Sequence, residues 1–128
     1  MKYLLDTHVL LWYYENSSQL HGKIQALIDD RESEIYISIA SLWEISIKLG
    51  LGKLSLKISF DDLMKIISDR DFKILQVEIE YLKHLSKLPL IHKDPFDRLL
   101  VATAQAEDLT LITADENIHK YDITINWS

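Results

Sequence analysis

Short apolar runs alternate along the chain with stretches of helical spacing. "KYLL" (2–5) leads into a helical pattern over Val9 to Tyr14 and a second near Gln19 to Asp29, and then comes the run "EIYIS" (34–38). A helix over Ala40 to Gly50 follows, in which Leu42, Ile45, Ser46 and Leu49 keep the three-and-four spacing of a buried stripe. Beyond the turn "LGLGKL", the pattern predicts an amphipathic helix from Asp61 to Asp69, a strand in "FKILQV" and a helix from Glu78 to Ser86. A loop through Pro89 leads to a helix opened by Pro95, a strand in "LTLIT", a short helix after Asp115 and a closing strand in "ITINW". Strands separated by helices imply parallel pairing through right-handed crossovers. The expected fold is α/β, a three-layer α/β/α domain around a central parallel sheet of four to five strands. Short, apolar strand runs suit a sheet covered on both faces.

Composition narrows this picture. A chain of 128 residues with 48% hydrophobic residues suits one domain, taken as 1–128, and is too short for two of usual size. With only three glycines and two prolines and no repeat or linker, order is expected throughout. The absence of cysteine excludes a disulfide framework, a thiolate metal cage and a cysteine nucleophile. The apolar N-terminal run carries Asp6 and His8 and lacks a small-residue cleavage site, so neither a signal peptide nor a membrane span is expected, and the cytoplasm is the simplest compartment. A net charge of -6 argues against general basic attraction to nucleic acid. It leaves room for a nucleic-acid enzyme whose acids hold cations, because bound cations invert the local field.

Ligands of open parallel sheets bind beyond the carboxyl ends of the strands. Asp6 directly follows "KYLL", and Asp115 comes two residues after "LTLIT". Glu44 lies early in the helix that leaves "EIYIS", and Asp97 lies in the first turn of a helix running antiparallel to the strands. All four acids are thus expected at one edge. Such a cluster is poorly ionised without cations, since close carboxylates raise one another's pKa. Hard divalent ions with oxygen ligands, Mg²⁺ or Mn²⁺, relieve the conflict, and two ions roughly 4 Å apart would clamp the attacking and leaving oxygens of a phosphodiester. Lys48, Lys53, Lys93 and Arg98 lie near these acids in sequence and are candidates for phosphate contacts.

Each acid also has a local explanation. Asp6 suits a helix cap before His8, Glu44 suits an ion pair with Lys48 one turn later, and Asp115 suits a cap on "ENIHKY". Asp94 followed by Pro95 is a common helix start, and Asp97 then falls at the third helical position, favoured for acids. Glu44, however, stands between Trp43 and Ile45 in a helix with few polar positions, so it needs solvent or a ligand. His8, His21, His84, His92 and His119 show no short metal-ligand spacing and read as surface groups or outer supports of a site. Trp12, Tyr13 and Tyr14 read as core packing, with a groove for a partner segment as the lesser reading. No serine-hydrolase elbow and no glycine-rich phosphate loop is present.

"LLDTHVLLW", "SIASLWEISIKLGLGKL" and "HKDPFDRLLVATAQAEDLTLITAD" together resemble the PIN-domain family, and within it the VapC-like toxins of bacterial toxin–antitoxin pairs. The resemblance covers essentially the whole chain. It implies a metal-dependent ribonuclease, an endoribonuclease toxin that hydrolyses RNA phosphodiester bonds by in-line attack of water and uses Mg²⁺ or Mn²⁺. It maps Asp6, Glu44, Asp97 and Asp115 onto the family's catalytic, metal-binding acids, with Asp6 central. Thr7 and Thr113 match polar positions that orient them, Arg98 matches a structural or phosphate-directed position, and Asp94 is left as the helix cap. It also implies a small cognate antitoxin, one of whose arginines competes with the metal, and a homodimer. A receiver domain or a dehalogenase-type phosphatase would need acids or a lysine that the chain lacks at the corresponding places. The alternative is a catalytically silent PIN-like binding domain whose acidic site engages a partner protein.

Overall fold

All five apolar runs form strands: β1 (Lys2–Leu5), β2 (Glu34–Ser38), β3 (Lys73–Leu75), β4 (Thr110–Ile112) and β5 (Ile125–Asn126). The helices between them are α1 (Thr7–Tyr14), α2 (Gly22–Asp29), α3 (Ile39–Gly50), α4 (Phe60–Asp69), α5 (Ile79–Lys87) and α6 (Pro95–Glu107), with a 3-10 turn at Ile118–Lys120. These elements come from a computed structural model that describes residues 1–57 and 59–127. The strands pair in parallel in the order β3-β2-β1-β4-β5, as the α/β/α reading requires. Among the described residues no helix is long and apolar enough to cross a membrane.

Alternation along the strands splits the core into two layers. Tyr3 and Leu5 of β1, Ile35 and Ile37 of β2, and Ile112 of β4 face one side, where they meet Val9, Leu10, Ile24, Ile28, Leu42, Ile45, Leu63 and Ile67. Leu4 and Leu111 face the other side, against Leu100, Val101, Ala104, Ile118 and Tyr121. A strand with period-two side chains can bury both faces only if helices cover both. The central strand meets that condition: Leu4 and Leu5 are fully buried.

The outer strands depart from the sequence reading. "FKILQV" pairs only over Lys73–Leu75 and "ITINW" only over Ile125–Asn126, because both are edge strands with one neighbour each. The helix after Asp115 is a single 3-10 turn. The face of α3 is also turned from the expected stripe. Ser46 is exposed and bonds the Trp43 carbonyl, while Ser41 and Glu44 are buried beside Leu42 and Ile45. Packing against α1 draws this polar edge inward.

The order of the strands positions the site. From β1 the chain winds outward to β2 and β3, then returns to the other side of β1 as β4. Strand order therefore reverses between β1 and β4, and crevices form at such switch points beyond the carboxyl ends of the strands. Asp6 leaves β1 and Asp115 follows β4 at that place.

Candidate active site

Asp6 is both a cap and a buried acid. One of its oxygens accepts the His8 N–H at 3.0 Å, and the other accepts the Thr113 hydroxyl. Thr113 is wholly buried and itself accepts the Asp115 N–H at 3.0 Å, so one hydroxyl ties the acids after β1 and β4 together. Burial raises the Asp6 pKa, and the bonds from Thr113 and His8 only partly oppose it.

Asp115 divides its oxygens in the same way. Oδ1 accepts the N–H groups of Asn117 and Ile118, capping the 3-10 turn, while Oδ2 lies 2.9 Å from His92 Nε2. The same His92 nitrogen is 3.2 Å from Asp97 Oδ2. Asp97 stands in the first turn of α6, whose N-cap is Asp94, with Pro95 following it. Asp94 accepts the Phe96 and Asp97 N–H groups at 2.8 and 3.2 Å. Its partner Asp97 is held over the switch point, where burial, then Asp6 and Asp94, push its pKa up to about 7 against the lowering effect of His92.

Glu44 reaches the cluster from α3. Its Oε2 pairs with Lys48 Nζ at 2.8 Å, the local partner foreseen in the sequence, and raises that lysine's pKa. Its Oε1 is buried with no hydrogen-bond partner among the described residues. An unsatisfied carboxylate oxygen in the interior is costly unless something is meant to meet it. Glu44 also adds to the negative field that raises Asp97.

Thr7 donates to Ser41 at 2.9 Å and not to an acid, because it opens α1 where that helix packs on α3; it thereby fixes the helix that carries Glu44. Arg98 reaches the Pro89 carbonyl at 3.0 Å and the Tyr121 hydroxyl at 3.3 Å, contacts that brace the loop before α6.

His92 is the residue that sequence reasoning did not single out from the other four histidines. It forms with Asp97 and Asp115 a group whose ligand-type atoms lie within 4.8 Å of one another. Burial by itself lowers its pKa, but Asp115, Asp97 and Asp94 outweigh this and raise it, while the His92 contact helps to lower the Asp115 pKa against burial. Its place two residues before Asp94, in the loop entering α6, was the available signal. A spacing rule for helical ligands cannot find a loop histidine that meets acids from two other elements.

Alongside these groups lies a cleft of about 270 Å³ lined by Asp6, His8, Trp12, Ala114 and Asp115. Trp43, 63% exposed and next to Glu44 in sequence, packs edge-on against Phe96, the neighbour of Asp97, at 5.4 Å. Asp97, Asp115 and His92 form the tight group, Asp6 and Glu44 stand outside it, and the acidic cluster lies beyond the carboxyl ends of the parallel strands of an α/β protein. The chain belongs to the PIN-domain family, which it matches over residues 3–123.

Solved structures share the fold. VapBC2 from Rickettsia felis, bound to a DNA fragment from its promoter, is 19% identical over 100% of both chains with a TM-score of 0.75. FitAcB from Neisseria gonorrhoeae is 20% identical over 96% of this chain and 95% of that one, with a TM-score of 0.68. A toxin–antitoxin complex from Klebsiella pneumoniae is 18% identical over 97% and 95%, with a TM-score of 0.67. No curated protein matches the chain in sequence.

Proposed function

We propose that the chain is a VapC-like toxin, a metal-dependent endoribonuclease whose centre is Asp6, Glu44, Asp97 and Asp115. The observation that carries this reading is the convergence of these acids with one buried oxygen, Glu44 Oε1, left without a partner. The donor set fits a hard divalent cation: it is made of carboxylate oxygens, and Asp97 is held near pKa 7 chiefly by burial and by Asp6. Mg²⁺ or Mn²⁺, when bound, supplies the positive charge that lets the acids ionise together and that stabilises charge developing on a phosphodiester.

The chain's own groups prepare that centre. Thr113 fixes Oδ2 of Asp6, the Asp115 cap fixes Oδ1 and leaves Oδ2 toward the cluster, and the α6 cap sets the direction of Asp97. The cleft beside Trp12 gives RNA a route to the acids, and an aromatic wall suits unstacked bases. A small antitoxin is the partner this reading assigns, because structural relatives were solved as toxin–antitoxin complexes and because Trp43 and Phe96 offer an apolar anchor beside the acids. A homodimer and a cytoplasmic setting belong to the same reading.

Asp6→Asn and Asp97→Asn are expected to abolish RNA cleavage while leaving the circular dichroism spectrum unchanged. Undiminished cleavage by either variant would overturn the assignment. Asp94→Asn is expected to retain most activity, because Asn also caps helices well.

A further inference from the structure

The histidine in the cluster raises a choice that the acids alone do not. His92, Asp97 and Asp115 have the spacing of a three-residue metal site, which would make His92 Nε2 a ligand. The other ring nitrogen argues against this. His92 Nδ1 accepts the Asp94 N–H at 3.0 Å, so it carries no proton of its own. A neutral imidazole has one N–H, and that proton therefore sits on Nε2. Nε2 in turn faces two carboxyl oxygens, Asp115 Oδ2 at 2.9 Å, an acceptor for that proton, and Asp97 Oδ2 at 3.2 Å. The Asp94 N–H aimed at Nδ1 also leaves a proton on that nitrogen without an acceptor, so the proton on Nε2 has no place to shift to on the ring. In this tautomer Nε2 has no lone pair to give a cation.

The ring is also held from behind. The His92 backbone N–H donates to the Tyr121 hydroxyl at 2.9 Å, as does the Ile91 N–H at 3.2 Å, and that hydroxyl donates to the Pro89 carbonyl at 2.9 Å. Arg98 joins the same hydroxyl and carbonyl. A loop tied at this many points places the ring and its proton in one orientation.

We propose that His92 is a positioning residue of the acidic centre, a fixed Nε2–H donor that clamps Asp97 to Asp115 across the gap between α6 and β4, and that it is not a metal ligand. The inference rests on the reading of the acids as a cation site. Residues that orient ligating groups in this way typically change metal affinity about 10–100-fold when removed. Gln sets an amide N–H close to where Nε2 stands, and Ala sets nothing there.

Two measurements on the full chain test this. Nitrogen-15 NMR of the His92 ring, in EDTA and then in Mg²⁺, is expected to show a protonated Nε2 and a bare Nδ1 in both. Calorimetric titration with Mn²⁺ is expected to show His92→Ala weakened about 10–100-fold and His92→Gln within a few-fold of the parent chain. Loss of the Nε2 proton on adding Mg²⁺ would overturn the proposal, as would an Ala variant that binds as tightly as the parent or a Gln variant as weak as Ala. If the parent chain takes up no Mn²⁺, the cation reading of the acids falls instead. The ring spectrum in EDTA then decides alone, a protonated Nε2 supporting the clamp and a bare one overturning it.

Discussion

Asp97 shows how one side chain answers to two sets of demands. Its place in the first turn of α6 favours a negative charge by the helix dipole, yet burial beside Asp6 and Asp94 lifts its pKa to about 7. The folded chain therefore holds a proton there that the unfolded chain, titrating near 3.8, has already released. Stability from this group is present below pH 4 and is lost as pH rises toward 7. EDTA-treated protein is accordingly expected to melt at a lower temperature at pH 8 than at pH 5, and Asp97→Asn to reduce that difference. A difference that persists undiminished in the variant would place the strain on another group. The positions of Asp6, Asp97 and Asp115 were legible in the sequence, since each follows a strand or opens a helix, and Glu44 stood out as an acid among the apolar positions of α3. His92 was not, because its role depends on where a loop carries it, and no periodicity encodes that.

At the scale of elements, the mouth of α6 is built by the loop before it. Tyr121, on the far side of β4, is buried, and its hydroxyl gathers the Ile91 and His92 N–H groups, the Pro89 carbonyl and Arg98. Tyr121→Phe would leave those N–H groups without their acceptor, at a cost of about 1–3 kcal/mol. The expected result is a lower urea midpoint, and an unchanged one would mean that water takes the hydroxyl's place. The sequence showed the helices well, and their caps almost to the residue at Asp94–Pro95, because capping is local chemistry. It showed less of the strand ends and of the buried face of α3. Pairing of β3 and β5 stops where a neighbour stops, and Ser41 is buried because Thr7 meets it from another helix.

For the whole molecule, the strand order β3-β2-β1-β4-β5 converts a list of acids into a site. The sequence implied a parallel sheet and one shared edge, but not the reversal between β1 and β4, which depends on which side of β1 each later strand joins. That reversal puts Asp6 and Asp115 in adjacent strand ends and lets one threonine connect them. On the proposed reading, a chain of net charge -6 acts on a polyanion because its negative charge is concentrated where cations would bind and invert the local field. The proposed function is RNA cleavage at this centre with a divalent cation. The direct measurement is cleavage of a mixed panel of labelled RNAs by the purified chain, in EDTA and then after adding Mg²⁺ or Mn²⁺, with Asp97→Asn alongside. Cuts are expected to appear only with the cation and to vanish in the variant; cuts that persist in EDTA, or that Asp97→Asn makes as well as the parent chain, would overturn the assignment.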